Sequence, residues 1–196
     1  MDVVTRIEAA ASRWNVLDHP FYRRWSAGEL TREELAEYAA QYRHAVVALA
    51  DAAEAAGDAE HAREEREHVA LWDAFAEGCG SVPADANAET TECAVAWTAG
   101  EDRLERLAVL YAIESAQPAI SQTKMDGLLG HYGFEEGPAT EYFALHAERD
   151  HEHAAHSRLL LEKLATDEDA PRLAARAEAA VRGNWRLLDG VSPPSE

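Results

Sequence analysis

Tyr142-Phe-Ala-Leu-His146-Ala-Glu-Arg-Asp150-His151-Glu-His153-Ala-Ala-His156-Ser-Arg-Leu-Leu160 is the stretch whose reading decides the fold. At 100° per residue, His146, Asp150 and His153 fall at about 0°, 40° and 340° around a helix, on one narrow face. Tyr142 shares that face, which runs on into Leu160, so it points inward. Two imidazoles and a carboxylate inside a helical core are costly unless something binds them. Iron, manganese or zinc would do so, because imidazole and carboxylate suit these ions. His151 and His156 fall off the face and read as surface residues.

Two other segments carry matching groups. His61, Glu64, Glu65 and His68 recur at spacings of three, four and seven, and His68 heads a run whose Leu71, Trp72 and Phe75 read as core. Glu65-x-x-His68 is the spacing by which carboxylate-bridged di-iron bundles bring two donors on one turn to the same metal pair. Glu67 reads as a solvated residue, and solvation is the plain alternative for Glu64. Glu114 lies in the apolar run Leu110-Tyr-Ala-Ile-Glu114-Ser-Ala-Gln-Pro118. Pro118 has no N–H for the Glu114 carbonyl, so the helix should kink there and aim the carboxylate. One inward histidine is more often a satisfied core residue than a ligand. Three helices with such groups at ligand spacing tip the balance to a metal site.

The rest of the chain also reads as helix. Val4, Ile7, Ala11 and Trp14 give a first helix over 3–15. His19 precedes Pro20, which suits the first position of a short helix through Tyr22 and Trp25. Thr31-Arg-Glu-Glu34 is a capping box opening a long helix that Gly57 ends, with Tyr38 and Tyr42 on its buried stripe. Helices are expected over 59–77, 91–99, 102–131, 138–164 and 170–189, with a loop over 81–90. The reading is an all-α bundle of about seven helices, one domain over 1–190, with 191–196 a disordered tail.

The net charge of −19 excludes nucleic acid and anionic membranes as natural partners, since both repel an acidic surface. Of 18 basic side chains only Lys124 and Lys163 are lysine. A salt-adapted cytosol or a GC-rich genome would each give that bias, and the halophilic reading is favoured. Two cysteines, Cys79 and Cys93, without a CxxC imply neither a disulfide framework nor a zinc knot. No apolar run reaches the roughly 18 residues that span a bilayer, and residues 1–30 hold no secretory apolar core; a cytoplasmic protein is expected.

Two segments resemble one family closely: Leu110 to Lys124, and His131-Tyr-Gly-Phe134 followed by Tyr142 to His153. The family is that of the Chlamydia protein associating with death domains (CADD), among the heme-oxygenase-like di-iron oxidases. His19-Pro-Phe-Tyr-Arg-Arg-Trp-Ser-Ala-Gly-Glu-Leu-Thr31, Tyr38 to His44 and the His68 run are also similar to it, and more loosely to TenA-type and PqqC-type proteins. The likeness touches roughly 20–75 and 104–162 and implies a heme-oxygenase-like, TenA/PqqC-like fold. It makes His68, Glu114, His146, Asp150 and His153 iron ligands by position. The family's sixth ligand is a Glu where this chain has His61. Either Glu65, or secondarily Glu64, takes that role, or His61 itself ligates.

In CADD-type members the protein's own tyrosine is thought to become p-aminobenzoate, with help from nearby tyrosines and a lysine. Lys124 matches that lysine, Tyr142 a tyrosine beside the metal, and Tyr22 is the candidate for sacrifice, with Tyr38 and Tyr42 as relay partners. Ile113 stands where a tyrosine often precedes the central Glu. An ordinary surface lysine is the alternative for Lys124, which in an unbroken helix would lie about 15 Å along the axis from Glu114.

The expected function is therefore an iron-dependent oxidase that activates O2 at a non-haem di-iron site (Fe/Fe, or Fe/Mn) and acts on a small molecule or on its own tyrosine. A homodimer is expected by analogy. Two rivals stand beside it. A metal-free TenA-type hydrolase would act on thiamin or its pyrimidine breakdown products. It needs a cysteine nucleophile, and neither Cys79 nor Cys93 is well placed. The other rival is a non-catalytic helical interaction protein. Haem oxygenase itself is disfavoured, since His19 before a proline is a poor axial ligand.

Overall fold

Nine α-helices account for the architecture among residues 2–192, which the computed structural model describes; no strand occurs among them. They are α1 (Val3–Ala11), α2 (Pro20–Ala27), α3 (Arg32–Ala55), α4 (Ala59–Cys79), α5 (Ala88–Thr98), α6 (Arg103–Glu114), α7 (Gln117–His131), α8 (Glu141–Leu164) and α9 (Ala170–Val191). Local chemistry sets most boundaries. Thr31 and Glu34 form the reciprocal capping box at the start of α3. Gly28 and Gly80 end α2 and α4 in the left-handed conformation, at φ 71° and 73°.

Several boundaries depart from the sequence reading. The first helix ends at Ala11 and gives way to a 3₁₀ turn over Ser12–Trp14. The fifth begins at Ala88, three residues early, because Asn87 accepts from the Thr90 N–H and caps it. Pro138 does not open the eighth helix. Thr140 closes a turn back onto Gly137, and the helix starts at Glu141. The largest difference is at Pro118. The run 102–131 is not one kinked helix but two, which raises the eight segments read as helical to nine. α6 stops at Glu114, and Pro118 is the second residue of α7, where a missing N–H costs no helical hydrogen bond. Of the segment expected to be a disordered tail, Val191 closes α9, and residues 193–196 lie outside the described residues.

α3 packs along α4 and α5, α6 lies between α8 and α9, α7 runs against α8 and α2, and α1 lies on α9. The core is rich in alanine on α3 and has an aromatic centre. Trp72 is fully buried, meets Tyr142 and Phe75 edge-on and lies against Tyr42, and donates its indole N–H to the Ala39 carbonyl at 2.8 Å. A buried Trp with its N–H satisfied is a rigid reference point, and it fixes how α4 is rotated against α3 and α8. No helix among the described residues is long and apolar enough to cross a membrane.

Candidate metal centre

The rotation set by Trp72 and Phe75 turns His61, Glu65 and His68 of α4 into the bundle, all three buried. The cut at Pro118 lets α6 end with Glu114 inside, 1% exposed. The face predicted on α8 brings in His146 and Asp150, each 1% exposed, and half-buries His153. Thus seven of the eight residues predicted as ligands converge. Glu64, the eighth, sits at the rim with its Oε2 3.3 Å from His153 Nε2. His151 and His156 are exposed, as the helical face required.

Glu65 is the hub. Its Oε1 lies 3.2 Å from His68 Nδ1, 3.6 Å from His61 Nε2 and 3.9 Å from His153 Nδ1, and its Oε2 lies 3.7 Å from His146 Nε2. His61 Nε2 is also 3.0 Å from Glu114 Oε1. Two clusters of donor atoms result, His61/Glu114/His153 and Glu65/His68/His146, while Glu65 also groups with Asp150 and His153. Glu65 is thus common to two of the three donor sets, and His153 links its second set to that of His61 and Glu114.

These close approaches are not hydrogen bonds. His61 Nε2, His68 Nδ1, His146 Nε2, His153 Nδ1, Asp150 Oδ2 and both carboxylate oxygens of Glu65 and of Glu114 are buried without a hydrogen-bond partner. Buried polar groups are nearly always paired, so nine orphaned atoms aimed at one volume fit a cation-binding site and fit nothing apolar. Lone pairs are also directed there. The Tyr142 carbonyl accepts from His146 Nδ1 at 2.7 Å, which leaves Nε2 of that ring as the free lone pair facing Glu65.

Electrostatics follow the geometry. Burial opposes ionisation of Glu65, yet His146, His61 and His68 hold it well below the usual carboxylate range. Burial likewise opposes the charge on His61, but Glu114 and Glu65 carry its pKa to about 10. For Glu114 burial wins and the pKa rises. Burial also lifts Asp150 to about 7, against the pull of His146. A cation bound among these groups would displace their protons.

A second group of polar side chains adjoins the first. Lys124 is fully buried, so the surface-lysine alternative fails; Nζ has no hydrogen-bond partner and lies 4.5, 5.5 and 5.9 Å from the ring centres of Tyr42, Tyr38 and Tyr22. Burial pulls its pKa down to about 7, Asp150 partly opposing. The Tyr22 and Tyr38 hydroxyls are 3.2 Å apart, and Tyr142 stacks on His146 with ring centres 4.0 Å apart. Gln117 and Ser121, also buried with orphaned oxygens, were missed by the sequence reading. The signal was present: Gln117, Ser121 and Lys124 have the same spacing of four and seven as His146, Asp150 and His153.

The rivals find little here. Burial raises the Cys79 thiol to about 12 and Cys93 higher still, which keeps both protonated and poor nucleophiles. His19 uses both ring nitrogens, Nδ1 accepting from the Phe21 N–H at 3.0 Å to cap α2 and Nε2 held by Asp189 at 3.0 Å.

An all-helical bundle enclosing a buried His/carboxylate cluster is the class that fold and site define. The chain belongs to the iron-containing redox enzyme family, whose model matches residues 29–185, and it is an iron-type oxidoreductase. Among curated relatives, the 4-aminobenzoate synthase of Nitrosomonas europaea is 31% identical over 95% of this chain and 89% of its own length. The 4-aminobenzoate synthases of Chlamydia muridarum and Chlamydia trachomatis are 31% and 30% identical over 100% and 99% of this chain and 92% and 94% of theirs. In fold, the chain is similar to a domain of unknown function with a heme oxygenase-like fold from Shewanella denitrificans, at 18% identity and TM-score 0.78 over 97% of this chain and 92% of that one. A TenA homologue from P. horikoshii matches with the same TM-score at 13% identity, over 97% of this chain and 98% of that one.

Proposed function

We propose that this protein is an O2-dependent di-iron oxidase that forms 4-aminobenzoate from its own tyrosine, Tyr22. The observation that carries the reading is the convergence of nine orphaned donor atoms beside a fully buried lysine in a tyrosine cage. The names of the three relatives supply the product class.

The residues divide the work. His61, Glu114 and His153 would hold one ion and Glu65, His68 and His146 the other, with Glu65 as bridge and Asp150 as a further oxygen donor. The ions are read as Fe/Fe, or Fe/Mn: the family supplies the iron reading, and a donor set of imidazole and carboxylate without thiolate accommodates it. Iron held by these residues would supply the reduction of O2, which side chains alone do not perform. The chain's own groups do the rest. Tyr142 keeps His146 in the tautomer that donates through Nε2. The Trp72, Phe143 and tyrosine rings exclude water around Lys124. In that apolar cage burial brings the amine's pKa down to about 7, which leaves a large neutral fraction whose lone pair is available as a nitrogen donor. Tyr38 holds the Tyr22 hydroxyl and can pass its proton inward.

The test is anaerobic loading with Fe(II), metal analysis, then O2, with chromatography for 4-aminobenzoate and mass spectrometry of the chain. About two irons per chain are expected, lost in His146→Ala. Tyr22→Phe should load iron normally and release no 4-aminobenzoate. Product from Tyr22→Phe, or none from the loaded wild-type chain, overturns the assignment.

A further inference from the structure

A polar cavity of about 380 Å³ opens from solvent directly onto the His61/His153 side of the metal cluster. Its lining is acidic, with Asp58, Glu60, Glu64 and Glu152 and one guanidinium, Arg149. The acidic side chains alone would be an ordinary solvated surface. What sets them apart is the pair of imidazoles at the inner lip. His61 and His153 lie ring against ring, centroids 4.0 Å apart. His61 is 6% exposed, and its Nε2 is buried without a partner. His153 spans the boundary, with Nε2 3.3 Å from Glu64 Oε2 on the outer side and Nδ1 3.9 Å from Glu65 Oε1 on the inner.

We infer that this cavity is the loading route for divalent cations, and that Glu64 with His153 forms a transient site which hands each ion to the buried cluster. The inference rests on the proposed metal centre and names how that centre is filled. Only a cation is drawn into a mouth lined by four carboxylates, and low-dielectric walls focus that field. A hydrated ion must shed water on the way in. Glu64, 27% exposed, offers an oxygen at the rim, and His153 offers a nitrogen on each side of the boundary. Rotation of one imidazole then carries the ion's coordination from rim to cluster. Arg149 Nη1 stands 4.0 Å from Glu64 Oε2 and competes for that oxygen, so it acts as a brake.

The measurement is stopped-flow uptake of Co(II) under argon, followed by the visible absorption of the bound ion, with equilibrium stoichiometry measured separately. Uptake by the wild-type chain should slow as ionic strength rises from about 50 to 500 mM. Glu64→Gln should load about tenfold more slowly and reach the same final stoichiometry, and Arg149→Gln should load faster than wild type. Glu37→Gln, the same charge change on an exposed residue of α3 outside the cavity lining, should load at the wild-type rate. Equal rates for Glu64→Gln and wild type, or equal slowing in Glu64→Gln and Glu37→Gln, overturns the route while leaving the metal centre intact. Absence of Co(II) at equilibrium in the wild-type chain overturns both.

Discussion

Replacing Lys124 by Met should stabilise the protein, and the gain should shrink as pH rises. The side chain is fully buried, has no hydrogen-bond partner and is pulled from 10.5 to about 7 by burial. In the unfolded chain the amine keeps its proton to about 10.4. Between about 7 and 10.5 the unfolded state therefore binds more protons than the folded one, and stability rises with pH across that window. Below about 7 both states are protonated and the folded state bears the full cost of a buried ammonium, about 5 kcal/mol for this shift. At pH 8.5 about 3 kcal/mol of that cost remains, and above 10.5 none. Met fills similar space with no charge, so Lys124→Met should gain most at pH 6, and the gain should fall by about 2 kcal/mol by pH 8.5. Urea unfolding of chelator-treated protein at pH 6, 7.5 and 8.5 measures it. A stability difference independent of pH, or one that grows with pH, would refute the claim that Lys124 is desolvated and near-neutral. The same variant should release no 4-aminobenzoate, which separates the amine's chemical use from its structural cost.

Three further outcomes are expected. His61→Glu exchanges a nitrogen for an oxygen donor at a position 3.0 Å from Glu114, and should keep metal binding while shifting preference toward Mn(II) in competition with Fe(II), read by elemental analysis. Metal should raise the melting temperature, since it binds the assembled cluster and not the unfolded chain; a free ion at about 100 times its Kd adds about 2.7 kcal/mol, and a thermal scan with and without chelator reads the shift. Gly127→Ala should destabilise by about 1–2 kcal/mol in urea, although alanine is the better helix former by about 1 kcal/mol. The added Cβ would stand 2.3 Å from Nε1 of Trp25, which is fully buried and donates that N–H to the Lys124 carbonyl.

The site was legible on α8 because one helix supplies its whole face, so spacing alone aligned His146, Asp150 and His153. It was only half legible on α4. Adjacent Glu64 and Glu65 differ by about 100°, and which one enters depends on how Trp72 seats against α3, a tertiary fact. The structure brings both His61 and Glu65 inside, so the alternatives weighed for that helix are not exclusive. Pro118 was visible as a disruption, but whether it kinks a helix or starts a new one depends on packing of the segment before it. The eighth helix shows the reverse case: Pro138 fits a first helical position, yet Gly137 and Thr140 make a turn that consumes those residues first. Gln117 and Ser121 escaped notice because amides and hydroxyls are common on solvated faces, and only burial distinguishes them.

The scarcity of lysine also makes the fold countable by chemistry. The side-chain amines are Lys163, which is exposed, and Lys124, which is sealed. An acylating reagent should therefore label one lysine side chain on the intact bundle and two on the unfolded chain. The sealed amine can be labelled only when the cage opens, so the rate of the second label becomes a clock for breathing of the aromatic core.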